Sequence, residues 1–256
     1  MMRRVALHFV KNTWCDGLFG KAEQLPKRSI ILSAFKNNNT SETQSKVPKI
    51  YTRTGDQGTS SLFTGERRPK NDFVFDTLGD VDEVSCNVGL SKNTMMESWQ
   101  NENFKELANQ FEKIQSVLQD VNSCVATPLS SASEARLERV KFDDGLTEEL
   151  EEWIDFYTAE LPALKNFILP SGGLAATHIH VTRSVCRRAE RKVASLAASG
   201  EIHGDISKYM NRLSDYFFTI ARYVAMMEGH VEKIYKKPKR KTESIDANLE
   251  DKMEDA

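Results

Sequence analysis

The 256-residue sequence lacks several features that would assign it directly to a class of proteins. It has no run of about 18 apolar residues, so it predicts no transmembrane helix and no membrane insertion. Its formal net charge of -2 at pH 7 contains no basic excess of the kind that nucleic-acid-binding proteins usually carry. With 39% hydrophobic and 28% charged residues, the composition favours a globular protein with one sizeable core or two small ones.

Signatures of disulfides and of protein-bound metals are also missing. The four cysteines are Cys15, Cys86, Cys124 and Cys186. They are widely spaced and form no C-x-x-C pair, which favours buried, reduced thiols over a disulfide framework. His178 and His180 would point to nearly opposite sides of a helix, so they cannot share a metal ion. Because the H-x-x-x-H spacing and Cys/His clusters are absent, the sequence predicts no transition-metal site.

Helical periodicity, in contrast, runs through most of the chain. Apolar residues recur at steps of three and four in five segments, 75–88, 104–121, 146–161, 179–196 and 206–227. Gly79 interrupts the first segment, and no segment shows convincing strand alternation. Residues 92–103 and 128–145 have polar or mixed patterns and are predicted to be connections. The pattern predicts an all-α protein, a five-helix bundle.

The two ends of the chain differ from this middle part. Residues 1–46 contain eight basic and three acidic residues, and the first fifteen contain no acid. A basic, amphipathic start is typical of a mitochondrial transit peptide, which predicts location in the mitochondrial matrix; a disordered tail is the alternative. Residues 236–256 are highly charged and predict a disordered tail. The predicted folded domain therefore covers residues 47–235.

A dense group of arginines lies in the fourth helical segment. At about 100° per residue, Arg183, Arg187, Glu190 and Arg191 fall within one sector, with Arg188 at its edge. The rigid fork of donors on arginine matches pairs of phosphate oxygens. The alternative is a solvated face with ion pairs one turn apart, such as Arg187 to Glu190. Solvated faces more often use Lys and Glu, so the choice of Arg favours an anion site.

The last helical segment has an unusual polar stripe. Asn211, Asp215 and Arg222 are spaced by four and seven residues, with Ser207 and Phe218 beside them, opposite the apolar face. The stripe contains almost none of the Lys or Glu expected on a solvated face. It indicates either a polar site between helices or subunits, or a buried network that fixes the register of the helices.

Two glycine-containing segments lie outside the predicted helices. The first, residues 52–72, reads TRTGDQGTSSLFTGERRPKND; it fails the Walker A pattern because no Lys follows Gly58. Gly55 and Gly58 would still let backbone N–H groups converge on an anion near Lys70, although a polar linker is the commoner explanation. The second segment, residues 167–173, reads FILPSGG. It predicts a turn that is either a plain connector or a close approach to a ligand, with Phe167 as an apolar wall.

Together these segments resemble a known family. The loop above is followed in order by LGDVDEVSCNVG, FILPSGG, RSVCRRAERKV and YMNRLSDYFFTIARY. The chain resembles the trimeric, helical-bundle ATP:cob(I)alamin adenosyltransferases, in particular their eukaryotic mitochondrial branch, over about residues 50–235. The resemblance implies a ferritin-like five-helix bundle that forms a homotrimer, with its active sites between neighbouring subunits.

The implied reaction transfers the 5′-deoxyadenosyl group of ATP to the cobalt of cob(I)alamin. Its products are adenosylcobalamin and triphosphate, and Mg²⁺ assists. Transient contacts with a cobalamin reductase and a B12-dependent mutase are also implied. The alternatives are a corrinoid carrier or chaperone that delivers adenosylcobalamin to a mutase, and a purely structural bundle.

The resemblance also assigns site residues by position. The implied ATP contacts are Thr52, Arg53, Thr54, Gly55, Ser60, Ser61, Lys70, Arg187, Arg188, Ala189, Glu190, Arg191 and Asn211. The corrinoid side would involve Phe167, Asp215 and Arg222, with Phe167 crowding the lower face of cobalt and disfavouring its axial ligand. Arg183 would meet an acidic residue across the subunit interface, for which Asp82 is the candidate. The catalytic set implied in this way is Arg187, Phe167, Asp215 and Arg183.

Overall fold

The structure is a computed structural model that describes residues 50–98 and 104–238. The predicted transit peptide at 1–46, and the predicted tail from residue 239 onwards, lie outside the described residues. One compact unit begins at Thr52 and contains every element below.

The described residues form six helices and one small sheet. In chain order the elements are β1 (Thr59–Ser61), β2 (Arg67–Pro69), α1 (Phe73–Ser98), α2 (Lys105–Val125), α3 (Glu134–Arg139), α4 (Gly145–Glu160), α5 (Gly173–Ala198) and α6 (Gly204–Met227). The five predicted apolar segments lie in or overlap α1, α2, α4, α5 and α6, so the mostly helical prediction is confirmed. The short α3 and the two-stranded antiparallel sheet are additions to the prediction.

Two of the predicted connections are partly helical. Helix α1 continues to Ser98, well into the segment 92–103. This part of the helix packs on the core, since Ser91 and Met95 are fully buried and the Ser91 hydroxyl lies 2.8 Å from that of Thr182 on α5. Helix α3 lies within 128–145 and buries none of its residues, so it leaves no apolar periodicity to detect.

The long helices pack around a single core. Helix α5 packs on both α1 and α6, while α2 packs on α1 and α4 packs on α6. The rings of Phe111 on α2 and Phe217 on α6 lie 6.1 Å apart, edge to face. The amide oxygen of Gln110 accepts hydrogen bonds from Tyr157 at 3.1 Å and Tyr216 at 2.9 Å, so one buried group joins α2, α4 and α6. Such satisfied polar groups fix the register of the helices.

The sheet is a hairpin attached to one end of this bundle. Ser60 pairs with Arg68 across the two strands, and Leu62 at the turn is buried. The N–H of Phe63 donates to the carbonyl of Ala126 at 2.9 Å, just beyond α2. Asp72 then starts α1, since its side chain accepts a hydrogen bond from the N–H of Val74 at 2.9 Å. No helix in the described ranges is both long enough and apolar enough to cross a membrane.

Candidate functional site

Arg67 organises the glycine-rich loop. From β2 its guanidinium donates to the carbonyl of Thr54 at 2.8 Å, to the hydroxyl of Thr59 at 2.6 Å and to that of Ser61 at 3.0 Å. One side chain therefore ties the start of the loop to β1. Because these bonds use most of its donors, Arg67 builds the loop, and it is a poor candidate for direct contact with a ligand.

The predicted loop residues lie close together on this frame. The side-chain nitrogen of Lys70 lies over Gly55, where an added Cβ would come within 3.0 Å of it. The Lys70 N–H donates to the carbonyl of Gly58 at 2.9 Å, which closes the loop. Thr52 and Thr54 share a hydrogen bond of 3.0 Å between their hydroxyls. Arg53 has a φ of 60°, a left-handed conformation that is uncommon for residues other than glycine and costs backbone energy.

One row of cations on α5 is neutralised within the chain. Arg188 contacts Asp80 at 3.3 Å and also pairs with Glu83, while Lys192 contacts Asp76 at 2.6 Å and Asp80 at 3.0 Å. All three acids belong to α1. These hydrogen bonds raise the pKa of Lys192 above its ordinary value. The row therefore fastens α5 to α1, and Arg188 is already engaged by acids at the position where an ATP contact was predicted.

The neighbouring row, Arg187 and Arg191, has no such partners. Both residues are exposed, and within the described ranges neither forms an ion pair with an acid. The predicted alternative, an ion pair from Arg187 to Glu190, does not form. Glu190 instead accepts a hydrogen bond from the amide of Asn211 on α6 at 2.7 Å. Two guanidinium groups one turn apart thus remain available to an anion.

Ala189, a predicted ATP contact, lies on the inner face of α5. Its side chain is fully buried in the core, because this position of α5 faces the inside of the bundle. It therefore does not reach the surface that carries Arg187 and Arg191.

Arg183 and His180, one turn earlier on α5, face Phe218 on α6. The guanidinium lies 5.8 Å from the Phe218 ring centre, and its Nε is buried without a partner. Burial, and then the charge of Arg187, lowers the pKa of Arg183. Its predicted partner Asp82 lies on α1 and lines a groove of about 740 Å³ between α1 and α2. The structure does not bring Arg183 and Asp82 together within one chain.

Phe167 is the one aromatic residue of the connection between α4 and α5. Its side chain is 86% exposed, and with Leu164 and Tyr235 it lines a cavity of about 390 Å³. Gly172 and Gly173 have φ values of 105° and 90°, and a Cβ on either would lie 2.4 Å from α6 or from the turn beyond it. The two glycines are needed because the connection passes so close to this end of the bundle.

The predicted polar stripe of α6 is not a single network. Asp215 is exposed and contacts Arg212 at 3.1 Å, next to the pair between Arg212 and Glu151. Arg222 is only 7% exposed, and its donors go to Glu232 and to a backbone carbonyl. Arg222, which was predicted to contact the corrinoid, is therefore buried and hydrogen-bonded within the chain.

The predicted site residues therefore fall into three groups. The loop residues lie together around Lys70, the residues of α5 and α6 that were predicted to bind phosphate lie together, and Phe167 lies at the end of the bundle. Across the described ranges, no hydrogen bond or ion pair links residues 54–70 to α5 or α6. The structural role of Arg67 was missed, because nothing in the sequence separates an arginine that holds a loop from one that binds a ligand.

Fold and site together define a helical-bundle protein with an exposed, uncompensated arginine face and a separate glycine-rich loop. The protein-family model for cobalamin adenosyltransferase matches residues 50–224. The chain is 51% identical over 199 residues to corrinoid adenosyltransferase MMAB of Homo sapiens, which covers 78% of each chain. It is 40% identical over 185 residues to the corrinoid adenosyltransferase of Bacillus subtilis, covering 71% of this chain and 89% of the relative.

A solved structure agrees with these relatives. It is a variant of the PduO-type ATP:corrinoid adenosyltransferase from Lactobacillus reuteri, complexed with cobalamin and ATP. The two structures align with a TM-score of 0.65 at 38% identity, over 74% of this chain and 100% of the other. The chain belongs to the cobalamin adenosyltransferase family.

Proposed function

We propose that this protein transfers the 5′-deoxyadenosyl group of ATP to the cobalt of cob(I)alamin, giving adenosylcobalamin and triphosphate. The observation that carries the proposal is the row of Arg187 and Arg191, exposed and without acid partners, in a chain of this family. Guanidinium groups in this arrangement suit the phosphates of a nucleotide.

The reaction makes limited demands on the protein. Cobalt(I) supplies the electron pair that forms the new bond to the ribose C5′, and the C5′–O bond breaks with its electrons leaving on triphosphate. No Ser, Cys or Lys nucleophile is needed. The protein must hold cobalt in line with C5′ and stabilise charge on the departing triphosphate. Arg187 and Arg191 would perform the second task.

The glycine-rich loop would supply the other half of the nucleotide site. Lys70 above Gly55 combines a positive charge with backbone and hydroxyl donors, which is a suitable environment for phosphate oxygens. Within the described ranges, residues 54–70 form no hydrogen bond to α5, so a neighbouring copy would bring the two halves together. A homotrimer provides three such contacts by symmetry.

Arg183 supports the same assembly. A buried guanidinium nitrogen without a partner is costly, and an acid from another copy would compensate it. Asp82 is the candidate acid, because it is exposed on α1 and forms no ion pair within the described ranges.

The corrinoid would lie against Phe167. An exposed ring at the lower face of cobalt would crowd out the axial ligand and make cobalt easier to reduce to Co(I). Asp215 on the exposed side of α6 would face the polar rim of the corrinoid.

Magnesium has no preformed site among the described residues, where no group of three or more Asp, Glu, His or Cys side chains is arranged to hold a metal. The acids near the arginine row do not fit as a ligand set, since Glu190 is bound to Asn211. We therefore assign Mg²⁺ to the phosphates of ATP and no step to it.

The domain and localisation assignments stay proposals as well. Residues 47–235 would form the catalytic domain, residues 1–46 a mitochondrial transit peptide, and residues 236–256 a charged tail. The basic, acid-poor start supports a location in the mitochondrial matrix.

One assay tests the activity. Pure protein is mixed with ATP, Mg²⁺ and chemically reduced cobalamin, and the corrinoid absorption spectrum is followed. We expect conversion to the spectrum of adenosylcobalamin with release of triphosphate. Binding of the corrinoid without conversion would instead identify a carrier, and absence of binding would identify a structural bundle.

A further inference from the structure

The chain beyond α6 returns along the connection that carries Phe167. We call residues 231–235 the C-terminal strap. The N–H of Tyr235 donates to the carbonyl of Phe167 at 2.8 Å, and the N–H of Leu169 donates to the carbonyl of Lys233 at 2.7 Å. The N–H of Lys233 donates to the hydroxyl of Ser171 at 2.9 Å. These bonds form a short antiparallel ladder that starts at Phe167 itself.

A partly buried ion pair anchors the C-terminal strap. The Arg222 side chain is 7% exposed, and its Nε donates to the Glu232 carboxylate at 3.0 and 3.3 Å. Its other end donates to the carbonyl of Pro162 at 2.9 Å. One guanidinium therefore joins α6, the strap and the first residues of the connection. Arginine suits this role because its fork of donors can serve two acceptors in fixed directions.

The ring of Phe167 depends on this backbone for its position. Because the ring is 86% exposed, packing within the chain contributes little to where it points. The connection also lacks the ladder of a helix, so the hydrogen bonds to the strap are its main backbone restraint on this side. Tyr235 contributes a second ring to the cavity beside Phe167. Loss of the strap would leave a solvent-exposed loop of low local stability.

We infer that the C-terminal strap, locked by the Glu232–Arg222 pair, positions Phe167 at the lower face of the corrinoid. Arg222 and Glu232 are thus positioning residues that act through the backbone at Phe167 and touch neither substrate. The inference depends on the proposed function in one respect only, the assignment of Phe167 to the corrinoid side.

The test uses Glu232→Gln, which keeps the shape of the side chain and removes its charge. Ser171→Ala removes one rung of the ladder at an accessible position and serves as a milder second variant. Glu149→Gln is the matched control, since it removes an ion pair of 2.6 Å with Lys113 between α2 and α4, far along the chain from the strap. Phe167→Ala shows how large the effect on the reaction is when the ring is removed completely.

The first readout is hydrogen exchange in the ligand-free protein. We expect Glu232→Gln to raise exchange at the Leu169 and Tyr235 amides about tenfold, because weakening a charge-assisted hydrogen bond favours local opening. Amides in the middle of α5 and α6 should keep their wild-type rates, as should all amides in Glu149→Gln. Unchanged exchange at Leu169 and Tyr235 would overturn the anchoring role.

The second readout separates positioning from mere stability. With ATP bound, the spectrum of bound cob(II)alamin reports whether the axial ligand is retained. We expect Glu232→Gln to retain more of it than wild type, and to slow the reaction from cob(II)alamin about tenfold while preformed cob(I)alamin reacts within about twofold of wild type. Faster exchange with an unchanged cob(II)alamin spectrum would show that the strap stabilises the connection but does not position Phe167. If the wild-type protein converts no cobalamin, the proposed function fails, and the strap would then be judged on the exchange data alone.

Discussion

Two rows of cations on α5 are offset by one position in the sequence. Acids of the chain surround one row, and none pairs with the other within the described ranges. Arg188 and Lys192 point at α1 and are neutralised by Asp76, Asp80 and Glu83. Arg187 and Arg191 point outward, and no acid within the described ranges pairs with either. A rotation of about 100° per residue around the helix separates the two rows. Cations that the chain itself neutralises hold the bundle together, and those that it leaves uncompensated are available to a ligand.

The largest effect on turnover should come from a change in the exposed row, Arg187 and Arg191. Arg187→Ala should lower kcat by about 10²- to 10³-fold, the usual cost of removing one donor to charge that develops in the transition state. Thermal stability should remain at the wild-type value, because Arg187 has no partner to lose. The matched variant Arg188→Ala should lower the melting temperature, and its loss of kcat should be smaller than that of Arg187→Ala. Equal losses of kcat in both variants would erase the distinction between the rows.

A change in the glycine-rich loop should have an intermediate effect on the kinetic constants. Arg67→Gln removes the hydrogen bonds to Thr54, Thr59 and Ser61 that hold the loop in place. We expect the KM for ATP to rise about tenfold, since the loop must then be ordered on binding, while kcat changes less. Steady-state kinetics with ATP as the varied substrate measures both constants. A loss confined to kcat would place Arg67 in contact with the reacting groups.

Lys192→Ala tests whether the inner row, Arg188 and Lys192, serves the stability of the bundle. Partly exposed ion pairs contribute modestly, so we expect a loss of about 0.5–1 kcal/mol in the free energy of unfolding. Chemical denaturation measures it, and turnover at saturating substrates should stay near the wild-type rate. A large loss of turnover with unchanged stability would show that the inner row also serves the ligand.

The smallest effect at neutral pH concerns His180, on the face of α5 that points to α6. Burial, and then the charge of Arg183, lowers the pKa of His180 from 6.5 to about 4. Between these values the unfolded chain binds a proton that the folded chain does not, so stability is complete above pH 6.5 and falls as the pH drops towards 4. The slope should be at most about 1.4 kcal/mol per pH unit.

Denaturation at several pH values between 4 and 7 measures this slope. His180→Gln keeps a side chain of similar size that does not titrate, so its stability should vary less with pH over the same interval. Identical slopes for wild type and His180→Gln would assign the acid sensitivity to other groups.

The helices could be predicted from the sequence because apolar residues mark the buried face of each long helix. Three parts of the fold could not be predicted in this way: the second half of α1, helix α3 and the hairpin. Ser91 continues the core of α1 as a polar residue, satisfied by Thr182, and therefore hides the second half of the helix. Helix α3 buries nothing, and the strands of the hairpin have three residues each, too few to show alternation.

The candidate site was predictable only in part, for a related reason. Periodicity groups Arg183, Arg187 and Arg191 on one sector, but it does not reveal which acids the neighbouring helix supplies. Arg188 was therefore placed at the edge of this sector, and its neutralisation by acids of α1 could not be foreseen. Arg222 was placed on a polar stripe for the same reason, because its partner Glu232 lies beyond the end of its own helix.

The central claim is that two copies of the chain complete one site, the loop from one copy and the arginine row from another. Mixing Lys70→Ala with Arg187→Ala subunits tests it, since each variant carries one damaged half. In mixed homotrimers, about one quarter of the sites would combine an intact loop with an intact α5, so we expect adenosylcobalamin formation to recover to about one quarter of the wild-type rate. A mixture no more active than the average of the two variants alone would contradict the claim.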